Sequence, residues 1–283
     1  YLALNTIMYD EDISDMKELC NAAKDVGINA IIASDIATLE YGAGQGISMH
    51  ASVQNNISNY ESVKYYAKFA DAIVLARELD IDHIQRISDK IKKDSVCGPS
   101  GKELKLEIFI HGALCVAISG LCYMSLAEYN TSANRGDCYQ PCRRSYKVTD
   151  LETGAELIIK SNFVMSPKDL CTIKILDKIF ASGVSILKIE GRGRSADYVS
   201  VVTSAYRKAI DACIAQTYTK EMAEMLEKEL EKVFNRGFWH GGYYLGMKTG
   251  EWSGISGSAA SCKKEAIGFI SNYYQKIKIA EVF

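Results

Sequence analysis

Two hydrophobic periods alternate along the chain. Residues 1–5 (YLALN) form a short apolar run of β type. From residue 14 to 26, Met16, Leu19, Cys20, Ala23 and Val26 recur at helical spacing until Gly27 ends the run. The alternation then continues: buried-type strands are predicted over 30–34, 47–51, 72–76, 104–110 and 185–190, and helices over 60–69, 81–91, 173–181, 196–215 and 220–233. A helical turn or two over 36–41 precedes the glycine-rich YGAGQG, and a loop holding Cys97, Gly98, Pro99 and Gly101 precedes the fifth strand.

Short strands separated by helices imply a parallel sheet with helical crossovers. The pattern predicts an α/β protein built as a TIM-barrel-like (β/α) barrel. The chain opens inside a strand-like run and without an initiator Met, so the first two βα units of an eight-stranded barrel are expected to lie ahead of it. An open doubly wound sheet is the alternative, although no GxGxxG follows the first strand. From Asn235 the character changes to RGFWHGGYYLG, a Gly/Ser-rich linker and a tail, KKEAIGFISNYYQKIKIAEVF, that alternates like antiparallel strands. The expected division is 1–215 for a partial barrel with its cysteine cluster and 216–283 for a helix plus the start of a small β extension.

Composition narrows the class. Of 283 residues, 48% are hydrophobic, enough for one sizeable core. The net charge of −2 gives the whole molecule no basic footprint, so a nucleic-acid partner would need a local patch. No apolar run reaches the ~18 residues of a membrane span. Nine cysteines is an odd number, and with no secretory signal ahead of Tyr1 the expectation is a reducing, cytoplasmic setting in which clustered thiols serve metal or catalysis.

In a barrel, functional groups gather at the C-terminal ends of strands. Those ends carry Asn5, Ser34, Asp35, His50, Ser52, Gln54, Asn55, Arg77, Glu78, His111, Glu190 and Arg192. Taken singly, each is explained by capping or loop polarity; taken as one ring, they point to a ligand-binding mouth. The candidate catalytic groups are His111, Glu107 and Glu190, with His50, Gln54, Arg77 and Arg192 as substrate contacts. Residues 107–142 hold Cys115, Cys122, Cys138 and Cys142, and Cys171 follows downstream. Their spacing fits no zinc-finger or ferredoxin pattern. Four of these five could converge on a soft metal or an iron–sulfur cluster, with disulfides or reduced structural cysteines as the alternative. Arg135, Arg143, Arg144 and Lys147, interleaved with Tyr139 and Tyr146, form a local basic patch suited to RNA phosphates and stacked bases, to carboxylate substrates, or to a solvated rim. There is no HExxH, GxSxG or Cys–His–Asn order to carry proteolysis.

The stretch EIFIHGALC (107–115), followed by SGLCYMS (119–125), closely resembles the signature of the collagenase-like peptidases, peptidase family U32. HASVQNN (50–56), LARELDI (75–81), NRGDCYQPCRRSY (134–146), SPKDLC (166–171) and LKIEGRGRSADYV (187–199) are similar to further stretches of that family, and RGFWHGGYY with the tail resembles the start of its C-terminal extension. The resemblance implies a TIM-barrel-like body. It also implies oxygen-independent hydroxylation, which relatives perform on a wobble uridine of transfer RNA with prephenate, on a ribosomal RNA cytidine, or on ubiquinone precursors. Such relatives hold a 4Fe-4S cluster on four cysteines. By spacing these correspond to Cys115, Cys122, Cys138 and Cys171, leaving Cys142 spare, although related members use a C-x3-C pair that would include it. The implied function is iron–sulfur-dependent RNA hydroxylation: the ring would hold a small acidic co-substrate, prephenate in the transfer-RNA case, and Arg135, Arg143 and Arg144 would meet RNA. The alternative is a collagenase-like protease.

Overall fold

The structure is a computed structural model, which describes residues 1–156, 163–247, 251–262 and 268–282. Its centre is a mostly parallel sheet. Strands β1 (Leu2–Leu4), β2 (Ile31–Ala33), β3 (Met49–Ala51), β4 (Ala72–Val74) and β5 (Lys105–Gly112) lie side by side in chain order, all parallel. β6 (Asp169–Cys171) runs antiparallel to the end of β5, pairing His111 with Cys171 and Gly112 with Leu170. β7 (Ile186–Ile189) runs parallel to β5, and β8 (Phe238–Trp239) parallel to β6. The alternation of strands and helices therefore gives the parallel α/β sheet expected. The sheet does not close into a barrel: among the described residues no pairing joins β1 to β8, and the sheet is open at those two edges.

Five helices begin where a short polar side chain satisfies a free N–H group of the first turn. Asp35 caps α2 (Ile36–Gly44), Asn59 caps α3 (Tyr60–Tyr66), Asp80 caps α4 (Ile81–Lys93), Ser195 caps α7 (Ala196–Ile214) and Thr219 caps α8 (Lys220–Leu230). The uncapped α1 (Ile13–Asp25) buries Met16, Cys20 and Ala23 on one face; in α4, Ile84, Ile87 and Ile91 point inward while Lys90, Lys92 and Lys93 close its C-terminal end, where cations suit the helix dipole. α2 runs on through the glycines that were expected to end it. Gly42 is needed inside the helix because a Cβ there would strike the Met49 side chain of β3.

β5 is the longest strand, with seven of its eight residues buried. It touches β4, β6 and β7, so whatever it carries is held from several sides. Between Phe109 and His111 its register against β7 slips, which turns His111 to the opposite face from its expected place. At Gly112 the backbone has φ +106°, and a Cβ would run into the Glu190 carbonyl at the end of β7. The chain then leaves the sheet for a long excursion holding α5 (Met124–Tyr129) and three short 3-10 turns before it returns as β6. After α6 (Leu176–Ala181) and the helical pair α7–α8, the tail forms an exposed antiparallel hairpin, β9 (Ile270–Tyr274) with β10 (Ile279–Val282), as its alternation predicts. Among the described residues, no helix is long and apolar enough to cross a membrane.

Candidate active site

The ends of β1, β2 and β3 are tied together by their polar residues. Ser34 Oγ donates to the Asn5 carbonyl at 2.9 Å, Asn5 Nδ2 donates to Gln54 Oε1 at 2.5 Å, and Ser52 Oγ reaches the same oxygen at 3.3 Å. Sequence thus brings Asn5, Ser34, Ser52 and Gln54 to one rim. Deeper in the sheet sits a charged triad. Glu107 of β5, 3% exposed, accepts from His50 Nδ1 of β3 at 2.9 Å and from Lys188 Nζ of β7 at 2.8 Å. Burial works to raise the Glu107 pKa, but the His50 hydrogen bond and the Lys188 charge outweigh it, so the carboxyl lies below the usual range and stays ionised. Lys188 was not foreseen; its place at alternate spacing in LKI, facing the same side as Glu107, is the signal that could have found it. The Arg77 guanidinium stacks over the Phe109 ring at 4.3 Å, and Lys188 approaches that ring at 5.4 Å. Glu190 ends β7, its carboxylate accepting from the Arg192 amide at 2.9 Å, and Arg192 reaches across to the Gly136 carbonyl at 3.5 Å.

His111 and Cys171 lie elsewhere. After the slip in β5, His111 packs among Tyr198, Tyr206 and Phe238, its Nδ1 3.3 Å from the Tyr206 hydroxyl. Burial, assisted by the charge of Arg194, pushes its pKa down to about 3, so the ring is neutral. It stands in an aromatic core against α7 and not at the strand-end mouth. Cys171, fully buried on β6, sits 3.8 Å from the same tyrosine hydroxyl, and burial pushes its thiol up to about 12.

The excursion between β5 and β6 gathers the other four thiols. Burial raises the Cys142 pKa, against the opposing pull of Arg143 and with a smaller push from Cys115, Cys138 and Cys122 nearby. Cys142 thus lies near Cys115, Cys122 and Cys138, while Cys171, the fourth member of the set implied by the family resemblance, lies on β6. All nine cysteines are unpaired, and among the described residues no three side chains stand close enough together to grip a metal ion.

Polar contacts fasten this excursion over the strand ends. Ser119 Oγ donates to Asn56 Oδ1 at 2.9 Å, the Cys122 amide to Asn134 Oδ1 at 3.3 Å, and the Ile7 amide to the Asn134 carbonyl at 3.1 Å. Arg135 pairs with Asp12 and stacks over Tyr9 at 4.2 Å. Arg143 points inward, donating to the carbonyls of Leu114 (2.5 Å) and Pro167 (2.7 Å) and to Ser166 Oγ (3.1 Å). One guanidinium therefore joins the residue before Cys115, the residue after Cys142 and the approach to β6. Of the expected basic patch, Arg144 and Lys147 remain at the surface, Arg144 over Tyr129 at 5.2 Å with Tyr139 edge-on to that ring, and Lys147 paired with Glu156 at 2.6 Å. Behind Arg143, Asp169 is 1% exposed between Arg236 (3.4 Å) and Arg194 (3.8 Å). Burial raises Asp169 despite the arginines, and burial followed by Arg236 lowers Arg143. Three guanidinium groups face one carboxylate, a surplus of buried positive charge beside the thiols. Asp169, Arg236 and Asn134 were not singled out from sequence, because nothing local marks a loop residue that bonds across the fold.

The model of peptidase family U32 matches residues 1–254. A collagenase of Porphyromonas gingivalis (strain ATCC BAA-308 / W83) is 47% identical over 281 residues, covering 99% of this chain and 68% of that protein. The 23S rRNA 5-hydroxycytidine C2501 synthase of Escherichia coli K12 is 33% identical over 258 residues, 89% of this chain and 37% of that protein. The tRNA hydroxylation protein P1 of Bacillus subtilis 168 is 32% identical over 243 residues, 83% of this chain and 55% of that protein. No solved structure matches the chain.

Proposed function

The chain belongs to peptidase family U32, and from that premise we propose that it hydroxylates a pyrimidine of transfer or ribosomal RNA with the help of an iron–sulfur cluster. The observation that carries this reading is the set of four unpaired thiols, Cys115, Cys122, Cys138 and Cys142, lying beside a buried surplus of guanidinium charge. Sulfur donors with no hard ligand among them suit iron and sulfide, and the surplus positive charge suits an anionic thiolate-bound group. A 4Fe-4S cluster held there would supply one-electron chemistry.

The chain's own residues do the rest. Arg143 holds the segments bearing Cys115 and Cys142 against the start of β6. The Glu107 triad keeps charge fixed between β3, β5 and β7, and the rim of Asn5, Gln54 and Arg192 would meet a small acidic co-substrate such as prephenate by charge-assisted hydrogen bonds. Arg144 with Tyr129 and Tyr139 offers RNA a cation beside stacking faces. In this reading the open sheet is a segment of a (β/α) barrel whose mouth carries the chemistry.

Proteolysis is the second reading, favoured by the name of the 47%-identical relative. Against it, the sequence holds no HExxH, GxSxG or Cys–His–Asn order, and His111 is buried against Tyr206 with its pKa pushed down to about 3. Nucleosides from a deletion strain, measured by mass spectrometry, test the proposal. A hydroxylated pyrimidine should disappear and return on complementation with the wild-type gene but not with Cys142→Ser. An unchanged nucleoside profile, together with gelatin hydrolysis by the pure protein, would favour the protease.

A further inference from the structure

An arginine without a partner lines a cavity beside the cysteine excursion. The cavity, about 320 Å³, opens between the end of β4 and residues 114–119, a size in the range of small-molecule sites. Arg77 forms part of its wall. The Arg77 Nε and Nη1 are shielded from water, make no hydrogen bond and, among the described residues, reach no carboxylate. Stacking on Phe109 at 4.3 Å fixes the guanidinium plane but leaves its N–H donors unused. The Tyr243 hydroxyl, on an adjoining wall, is buried and stands beside Tyr244. Buried donors are almost always paired in folded proteins, and a buried cation left unpaired is costly. The remaining walls are largely apolar: Leu114, Val116, Ile118, Pro167 and Trp252. Glu78, exposed, stands at the rim.

We propose that this cavity binds a small monocarboxylate with a flat apolar body, its carboxylate against Arg77 and its body between Trp252 and the 114–118 segment. One free guanidinium with a hydroxyl beside it matches one oxyanion head. A second carboxylate on the ligand would find, among the described residues, no further cation in the cavity wall and would meet Glu78 at its edge. Cys115 also lines the cavity, so the ligand lies beside one of the thiols assigned to the cluster; only that adjacency rests on the hydroxylation reading, and the binding itself does not.

Calorimetry on the purified protein tests the site with benzoate as the probe, benzamide as its neutral counterpart, isophthalate as the two-headed acid and inorganic phosphate as the bare oxyanion. Benzoate should bind, benzamide should bind at least about tenfold more weakly, and Arg77→Gln should weaken benzoate by a similar factor, since a hydrogen bond to a charged group carries roughly 1.5–3 kcal/mol. Isophthalate and phosphate should bind more weakly than benzoate. Should Arg77→Gln fold poorly, Ile118→Trp keeps the test decisive: Ile118 is 63% exposed on the loop wall, and the larger ring should fill the cavity and abolish binding with Arg77 in place. No benzoate binding to the folded wild type, or equal binding by either variant or by benzamide, overturns the site. Isophthalate or phosphate binding as tightly as benzoate overturns the assignment of a monocarboxylate. Benzoate binding by the wild type together with an unchanged nucleoside profile in the deletion strain would count against the hydroxylation reading alone.

Discussion

Glu107→Gln is the perturbation whose outcome the structure fixes most firmly. The wild-type carboxylate is 3% exposed and bonded on one oxygen to His50 at 2.9 Å and on the other to Lys188 at 2.8 Å. The amide that replaces it has similar shape but no charge. It leaves Lys188, 23% exposed at its side chain, beside an uncharged and partly mismatched partner. Removing one member of a buried ion pair costs about 3–5 kcal/mol, because the remaining charge has already lost its water. For a chain of this length that corresponds to a fall in Tm on the order of 10 °C. The effect also has a pH signature. The folded-state pKa of Glu107 is below its ordinary value, so the unfolded chain binds more protons there. The stabilisation is therefore fully present above the unfolded value, about 4.3, and is lost as pH falls through the lower folded value. Urea unfolding of both proteins at pH 7 and at steps down to pH 3 measures the difference. The gap should be largest at pH 7 and narrow below pH ~4, and adding Lys188→Met to the variant should recover part of the loss. A gap under about 1 kcal/mol at pH 7, or one that widens in acid, would refute the account of Glu107 as a buried anchor.

Three further outcomes are expected. The His111 ring, held neutral by burial and by Arg194 with its pKa at about 3, should show flat NMR shifts from pH 8 to 5. Since the unfolded ring protonates near ~6.5, its contribution should lower stability as pH falls below that value, and a titration near 6.5 in the folded protein would contradict the buried placement. Gly112→Ala, which sets a Cβ against the Glu190 carbonyl at φ +106°, should cost more than about 2 kcal/mol in denaturant unfolding. After anaerobic reconstitution, iron content and visible absorbance should be lost in Cys142→Ser and kept in Cys171→Ser; the reverse pattern would restore the spacing-based ligand set.

The sequence by itself determined the elements and their kind. Six of its predicted strands appear as β1 to β5 and β7, because short apolar runs bounded by glycines, turns and helix caps carry their structure in local pattern and burial. The rim of Asn5, Ser34, Ser52 and Gln54 was legible for the same reason: in a parallel sheet every strand delivers its next residues to one side. What only the tertiary structure decided depends on contacts between distant residues. DLC carries no strand pattern of its own and becomes β6 because the end of β5 offers it hydrogen bonds. His111 reads as a mouth residue until the slip after Phe109 turns it into the aromatic core. Cys171 and Cys142 are both cysteines near a signature, and spacing favoured the former. Folding buries Cys171 beside Tyr206 and ties the Cys142 segment to Leu114 and Pro167 through the bonds of Arg143. Period and capping are properties of neighbours in the chain, whereas a thiol's surroundings are set by residues tens of positions away.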